Sequence, residues 1–169
     1  MPPSEDLDMK DVGQFQIYCR RIEVEDTLAL RHSVLWPTKD IAHIKLPEDE
    51  AGVHLGAFLE NDDRKEPVAV ISLFTEDIPQ LFGLSPPIHT TRTIRFRKFA
   101  CDVAHQSKGI GSQLLEYTVS VARSDMNGSL LWCDARTTAL SWYQQRGLEQ
   151  FGDTFYKGVV EYVRMKREL

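Results

Sequence analysis

The chain has few cysteines and no long apolar run, and each of these features excludes a class of protein. The 169 residues include three cysteines, Cys19, Cys101 and Cys133, an odd number with no C-x-x-C spacing for metal or redox chemistry. Buried, reduced thiols are therefore expected. No apolar stretch reaches membrane-spanning length, and the acidic start of the chain does not resemble a signal peptide. These features predict a cytoplasmic protein with no membrane contact and no metal.

Positive charge is also in short supply. The chain has 20 lysines and arginines against 25 aspartates and glutamates, which gives a formal net charge of −5. No basic stripe interleaved with aromatic residues is visible, so nucleic acid is not an expected partner. The length suits a single domain with a full core, and the sequence has no internal repeat that would require a second one.

What the sequence does contain is a short glycine-containing segment. It reads Gln106-Ser107-Lys108-Gly109-Ile110-Gly111-Ser112 and lies between a strand pattern, Thr93–Val103, and a helix pattern. One face of the helix carries a stripe of apolar or small residues, which comprises Ile110, Leu114, Thr118, Val121 and Ala122. Backbone N–H groups at a helix N-terminus bind phosphate, and glycine lets the phosphate come close. The sequence therefore predicts a phosphorylated ligand at residues 106–112.

Three nucleotide-binding motifs could explain this segment, and their spacing separates them. A Walker A loop needs an earlier glycine and a Gly-Lys pair, whereas Lys108 precedes both glycines here. A dinucleotide motif needs a third glycine where Leu114 stands, and no βαβ repeat follows. The remaining pattern, Q-x-x-G-x-G, resembles the acyl-coenzyme A pyrophosphate loop of the GNAT acyltransferase superfamily.

Two downstream segments strengthen this resemblance. Leu130–Arg136 looks like the fifth strand of the family, and Ala139–Leu148 looks like its short fourth helix and the residues after it. The second segment contains the family's Tyr-x-x-x-Gly-Phe signature, in which Tyr143 matches and Leu148 replaces the phenylalanine. Several motifs in the family's order are more specific than one loop.

The upstream part resembles one branch of the superfamily. Leu30–Pro37 and His54–Phe58 look like the first helix and the second strand of the branch that contains glyphosate N-acetyltransferase. In all, the resemblance runs from about Phe15 to Leu169. We therefore expect an N-terminal tail over residues 1–14 and one GNAT-like domain over residues 15–169.

The hydrophobic patterns predict a mixed α/β sheet with helices on its faces, in the order β-α-β-β-β-α-β-α-β-β. The predicted strands are Phe15–Ile22, Val53–Glu60, Val68–Phe74, Thr93–Val103, Leu130–Asp134, Glu149–Phe151 and Val159–Met165. Asn127-Gly128 is expected to end the helix that follows the phosphate loop. The segment Glu76–Thr91 contains three prolines and is either a mobile loop or a wall of the substrate site.

The resemblance implies acetyl-CoA as the acyl donor and gives roles to two segments. Gln106 to Ser112 would bind the pyrophosphate through backbone N–H groups, with Lys108 either screening its charge or remaining solvated. The pantetheine arm would lie along Phe99, Ala100 and Cys101, with the Cys101 N–H facing the thioester oxygen. Cys101 is less suited to act as a covalent nucleophile, because no histidine or acid is visibly arranged to activate it.

Four other residues receive roles from the resemblance. Tyr143 matches the family tyrosine whose phenol donates a proton to the departing thiolate, and simple packing of its ring is the alternative. Arg31, Arg97 and Arg136 match branch positions where arginines surround an anionic amino substrate. Each of these arginines could instead pair with a nearby acid.

One departure from the branch concerns the general base. The branch has a catalytic histidine where Tyr162 stands here, and a shift of one residue would place Glu161 at that position. A phenol, with a pKa near ~10, is a poor base at neutral pH. No residue is therefore assigned as the base.

Taken together, the sequence predicts an acetyl-CoA-dependent N-acetyltransferase that acts on the primary amine of a small molecule, with an anionic, amino acid-like acceptor if the arginines converge. Two alternatives stay open, a non-catalytic module that binds or senses acyl-CoA and a protein N-acetyltransferase. The chain is expected to be a monomer or a homodimer.

Overall fold

A computed structural model describes residues 16–79 and 92–169. Seven strands form one mixed sheet in the order β1-β2-β3-β4-β5-β7-β6. The strands are β1 Ile17–Ile22, β2 Val53–Leu59, β3 Ala69–Thr75, β4 Thr93–Cys101, β5 Leu130–Arg136, β6 Glu149–Lys157 and β7 Val160–Glu168. The pair β4 and β5 is parallel, and the other neighbouring strands are antiparallel. The predicted fold class and order of strands and helices are confirmed. Three of the predictions fall on residues outside the described ranges: the tail, the start of β1 at Phe15, and residues 80–91 of the Glu76–Thr91 segment.

Within the described ranges, three α-helices cover the sheet. They are α1 Val24–Leu30, α2 Ile110–Ser124 and α3 Leu140–Gln144, and a π-helical turn, Arg31–Leu35, continues α1. The main core lies between the sheet and α2, and a smaller core packs beneath α1 against Phe58, Val70 and Ala100. No helix of residues 16–79 and 92–169 has both the length and the apolar character needed to cross a membrane.

Helix α2 follows the predicted stripe closely. All five predicted stripe residues are buried, and Leu115 and Val119 join them. The helix ends at Ser124, slightly before the predicted Asn127-Gly128. Asn127 adopts a left-handed φ of 53°, and the Gly128 N–H donates to the Ala122 carbonyl at 2.8 Å, so these two residues form the turn that terminates the helix.

The last two strands are longer than predicted. Strand β6 continues to Lys157, although Gly152-Asp153 resembles a turn in the sequence. The pairing of β6 with β7 shifts register between Phe151 and Phe155, and Gly152 has a φ of 68°. The strand therefore passes through these residues as a bulge instead of ending at them.

A second bulge, in β4, changes the face of the sheet on which the later side chains of this strand lie. Val70 of β3 lies opposite Ala100 and Ser72 lies opposite Arg97, so β4 contains one more residue than β3 over this stretch. Lys98 lies within it and has a φ of 55°. Phe96 packs in the core beneath α2, whereas Ala100, four residues later, packs in the core beneath α1. Because a regular strand would put both on the same face, the bulge reverses the inward and outward alternation of β4.

The junction between β4 and β5 is short. Only Thr93 to Arg95 of β4 pair with Leu130 to Trp132 of β5. Beyond this point β4 runs on to Cys101 and β5 runs on to Arg136 without pairing to each other. The two strands thus enclose an open space, which we call the β4–β5 gap.

Candidate active site

The predicted phosphate loop connects β4 to α2. Ser107 and Gly109 both have a left-handed φ, of 61° and 80°, and Gly109 is the N-cap of α2. A Cβ added to Gly109 would touch nothing within 4 Å, so the glycine is required by its backbone angle and not by lack of space. The N–H groups of the first helical turn have no intrahelical acceptor and remain available to an anion.

A second basic side chain lies beside this loop. The Arg146 Nε donates a hydrogen bond to the Ser112 hydroxyl at 2.8 Å, and its guanidinium stacks 3.8 Å from the centre of the Trp142 ring. Lys108, which the sequence singled out, is exposed and donates to the Ala104 carbonyl at 3.0 Å. Arg146 therefore adds positive charge at the N-terminus of α2, and its position after Tyr143 gave no signal of this in the sequence.

A cavity of about 610 Å³ opens at the β4–β5 gap. Residues 95–99 of β4 form one wall and residues 134–136 of β5 form the opposite wall. The π-helical turn after α1 contributes Val34, Leu35 and the following Trp36, while Gln106, Tyr143 and Tyr162 also line the space. We call this space the central cavity.

Tyr143 lies at the cavity on α3 and is only 9% exposed. Its ring lies 5.9 Å from Phe96 and 5.0 Å from Trp142, which fixes its orientation. Burial raises the pKa of the Tyr143 phenol well above its usual value. The phenol is therefore protonated at neutral pH and can serve as a hydrogen-bond donor but not as a base.

Cys101 is half-buried at the end of β4 and is not part of the cavity wall. Burial, together with the neighbouring Asp102 carboxylate, raises the pKa of the Cys101 thiol. A thiol held in its protonated form is a weak nucleophile. Its backbone lies in the part of β4 that does not pair with β5, next to Phe99 and Ala100.

The three predicted arginines do not converge. Arg31 is fully buried and its guanidinium donates to both Asp49 oxygens, at 2.7 and 2.9 Å, and to the Ser72 hydroxyl at 2.8 Å. It does not line the central cavity. Arg97 and Arg136 both line it, but Arg97 donates to Glu48 at 2.6 Å. The expectation that Arg31 faces a substrate does not fit this geometry, because its charge is already neutralised inside the protein.

His54 completes the surroundings of Arg31. Its Nδ1 lies 2.7 Å from the Ser72 hydroxyl and its Nε2 lies 2.9 Å from the Asp49 carbonyl oxygen. Burial alone would raise the pKa of the Asp49 carboxyl, but hydrogen bonds from Arg31 and the Leu46 N–H hold it below its usual value. We call Arg31, Asp49, Ser72 and His54 the Arg31 network.

Lysine and arginine side chains that the sequence reasoning did not select line the cavity as well. Arg95 donates to Glu76 and to Asp134, each at 2.6 Å, and Lys157 donates to the same Asp134 carboxylate at 2.8 Å. Lys98 has a different environment, with its Nζ 4.2 Å from the centre of the Trp36 ring. Within the described ranges, neither Lys98 nor Arg136 has a carboxylate within ion-pair distance.

The electrostatics of Lys98 follow from this position. Burial, together with the positive charges of Arg97, Arg31 and Lys157, lowers the pKa of Lys98 to about 8. The face of Trp36 stabilises the ammonium and acts in the opposite direction. The sequence signal that could have identified Lys98 is weak, because its placement depends on the extra residue in β4.

The two candidates for the general base, Tyr162 and Glu161, differ in whether they line the cavity. Tyr162 lines the cavity, with its ring 5.9 Å from Phe155 and 4.6 Å from the Lys157 Nζ. Glu161 lies opposite Tyr156 in the β6–β7 pair and is not part of the cavity wall. In the part of the chain that the structure describes, no three histidine, cysteine or acidic side chains are grouped closely enough to hold a metal ion.

Comparison with known proteins agrees with this architecture. A sequence model described as an acetyltransferase (GNAT) domain matches residues 70–169. The chain is 27% identical over 154 residues to YitI of Bacillus subtilis (strain 168), described as an uncharacterized N-acetyltransferase, and the match covers 89% of this chain and 95% of that one.

Two solved structures have the same fold. One is an IAA acetyltransferase from Bacillus cereus ATCC 14579, with a TM-score of 0.64 and 20% identity over 91% of this chain and 100% of that one. The other is an acetyltransferase of the GNAT family from Staphylococcus aureus Mu50, with a TM-score of 0.63 and 15% identity over 90% of this chain and 99% of that one. With the family match over more than half its length, the chain belongs to the GNAT acetyltransferase family.

Proposed function

We propose that the protein is an acetyl-CoA-dependent N-acetyltransferase whose acceptor is a small primary amine that also carries an acidic group. The observation that carries this proposal is the pair of cations, Lys98 and Arg136, that line the central cavity without a carboxylate partner among the described residues. An unpaired cation in a partly desolvated cavity is stabilised by an anion that enters it.

The loop and the β4–β5 gap fit acetyl-CoA. The first turn of α2 offers backbone N–H groups for the pyrophosphate, and Arg146 adds a positive charge beside Ser112. The part of β4 that does not pair with β5 includes Phe99, Ala100 and Cys101, whose backbone groups can pair with the pantetheine amides. A backbone N–H in this stretch would face the thioester oxygen and stabilise the charge that develops there, an interaction worth roughly 3 kcal/mol.

The reaction is a direct transfer. The amine nitrogen of the acceptor attacks the thioester carbon and the carbon–sulfur bond breaks. The proton that the nitrogen loses as the amide forms is balanced by protonation of the departing sulfur, and the products are the amide and free CoA. The neutral phenol of Tyr143 supports the sulfur by donating a hydrogen bond to the departing thiolate. The protein supplies position and electrostatics, and no covalent intermediate on Cys101 is needed.

The charge of the cavity selects the acceptor. Among the described residues, its wall carries five cationic side chains, Arg95, Arg97, Lys98, Arg136 and Lys157, and one carboxylate, Asp134. Glu48 and Glu76 neutralise Arg97 and Arg95, and Asp134 is shared by Arg95 and Lys157. An excess of positive charge remains, on a protein whose net charge is −5. This excess favours an amino acid-like acceptor and disfavours a polyamine.

The test is thiol release from acetyl-CoA with matched pairs of amines, each pair an amino acid or aminophosphonate and the same amine without its acid group. We expect turnover with the acidic member and weak or no turnover with its partner. Tyr143→Phe should lower kcat by about 100-fold or more while calorimetric CoA binding is retained. CoA binding without turnover of any amine would favour a sensing module, and turnover of peptide N-termini alone would favour protein acetylation.

A further inference from the structure

Lys98 lies next to the stretch of β4 proposed to bind the acetyl group, and it also lines the cavity proposed to bind the acceptor. It immediately precedes Phe99, so its backbone borders the stretch of β4 that faces the β4–β5 gap. The bulge leaves it outside the regular pairing with β3, and its side chain lines the same cavity as Tyr143 and Gln106. An acetyl group held at Phe99 to Cys101 would therefore border the cavity that Lys98 lines.

The Lys98 amine is also held differently from the other cations of the cavity. Arg95, Arg97 and Lys157 are each fixed by a carboxylate at 2.6 to 2.8 Å. The Lys98 Nζ instead lies over the face of Trp36 at 4.2 Å, a contact that attracts the ammonium form and is weaker than a paired carboxylate.

The charged groups near Lys98 act on it in one main direction. Arg97, Arg31 and Lys157 disfavour its ammonium form, and Glu48 is the carboxylate that opposes them. With a pKa of about 8, roughly one tenth of the Lys98 side chains carry the neutral, nucleophilic amine at pH 7. An ordinary exposed lysine has far less of this form.

We propose that Lys98 is a self-acetylation site, whose amine takes the acetyl group from acetyl-CoA when no acceptor occupies the cavity. This inference rests on the proposed acetyl-CoA site. The Nζ lone pair attacks the thioester carbon and the carbon–sulfur bond breaks. A proton from the nitrogen passes to the CoA thiolate, and the products are a neutral acetyl-lysine and free CoA.

The modification regulates the site that it occupies. Acetylation removes the positive charge of Lys98, which is one of the two cations available to the acid group of an acceptor. A bound anionic acceptor has the opposite effect, because its charge favours the unreactive ammonium form of Lys98. Self-acetylation therefore occurs when acetyl-CoA is abundant and the acceptor is absent, and it lowers the affinity for the acceptor.

Lys39 provides a matched internal control. Its Nζ lies 4.5 Å from the centre of the same Trp36 ring, but it is exposed and is not part of the cavity wall. Incubation of the protein with isotope-labelled acetyl-CoA, followed by peptide mass spectrometry, compares the two lysines in one sample. We expect Lys98 to be labelled at least about tenfold faster than Lys39, since an amine held beside the thioester has a high effective concentration.

Three further measurements complete the test. Labelling of Lys98 should be first order and independent of protein concentration, should be suppressed by a non-reactive CoA analogue, and should be lost in Lys98→Arg. Equal labelling of Lys98 and Lys39, or labelling of Lys98 that the analogue leaves unchanged, overturns the inference. If CoA binds and an amine from the panel is acetylated while Lys98 stays unlabelled, this inference fails and the proposed function stands. If CoA does not bind at all, both fail.

Discussion

The Arg31 network and the cation pair of the central cavity, Lys98 and Arg136, both contain positively charged side chains. They differ in whether a carboxylate neutralises the charge. Arg31 is fully buried and its terminal nitrogens are bound by Asp49 and Ser72. Lys98 and Arg136 lie at a cavity and have no carboxylate partner in the described ranges. The first arrangement holds the π-helical turn against β3, and the second leaves charge for a ligand.

The paired and the unpaired cations differ in their surroundings and not in their sequence. Net charge and motif position do not separate Arg31 from Arg136, because the sequence resemblance predicted the same role for both. The difference lies in whether a second part of the chain brings a carboxylate to the guanidinium. For Arg31 that carboxylate is Asp49, which is itself buried and accepts from the Leu46 N–H at 2.7 Å.

The largest effect is expected from removing Arg31, whose charge is neutralised by a buried carboxylate. Arg31→Met leaves the Asp49 carboxylate buried without its partner, and removal of one member of a buried pair costs about 3–5 kcal/mol of unfolding free energy. Urea unfolding measures this. The matched control is Arg123→Met on the exposed face of α2, which should change stability by less than about 0.5 kcal/mol. A loss below about 1 kcal/mol for Arg31→Met would mean that the Arg31 network is not structural.

Removal of an unpaired cation from the central cavity should change the binding of the acceptor and not the stability of the protein. Arg136→Met removes an exposed cation of the cavity, and loss of an exposed ion pair costs up to about 1 kcal/mol, or roughly 5-fold in KM for an acidic amine. KM for the same amine without its acid group should not change. Steady-state kinetics with both amines checks this, and an equal change for the two amines would remove Arg136 from acceptor recognition.

A third prediction concerns a paired cation, Arg97, from which the carboxylate partner is removed. Glu48 lies 2.6 Å from Arg97, so Glu48→Gln releases a guanidinium into the cavity. The acidic acceptor should then bind a few-fold more tightly, which corresponds to about 0.5–1 kcal/mol for a partly exposed pair. The comparison variant is Glu116→Gln, which releases Arg167 from a pair at 2.8 Å outside the cavity wall and should leave KM unchanged. Weaker binding in Glu48→Gln would show that the pair positions Arg97 for the acceptor.

The last prediction concerns pH. The pKa of Lys98 is about 8 in the folded protein against 10.5 ordinarily, so the unfolded chain binds more protons between these values. Stability should therefore gain from Lys98 as pH rises from about 8 to about 10.5. This gain should be absent from Lys98→Met. Urea midpoints of both proteins across that range measure it, and parallel pH profiles would contradict the prediction.

Local patterns were sufficient for most of the fold. The apolar stripe of α2 has the helical period, and the phosphate loop carries its glycine at the position that needs a left-handed φ, so both could be recognised without tertiary information. The end of β6 could not, because Gly152-Asp153 has the composition of a turn and continues as a strand only through its pairing with β7.

The site was harder to predict because its charges are distributed by contacts that are distant in sequence. Arg31 and Asp49 are 18 residues apart, and Arg95 and Asp134 are 39 residues apart. The position of Lys98 depends on an offset between β3 and β4 that is visible only in the strand pairing. The loop at residues 106–112 could be proposed from the sequence because its residues are adjacent, whereas only Arg136 of the two unpaired cations was selected and Lys98 was missed.

The short junction between β4 and β5 has a mechanical consequence. Three residue pairs join the strands β1 to β4 to the strands β5 to β7, whereas seven pairs join β5 to β7. The sheet is thus divided into two parts that are joined at its centre by these three pairs. A ligand arm that formed backbone hydrogen bonds within this opening would act as an additional strand and connect the two parts.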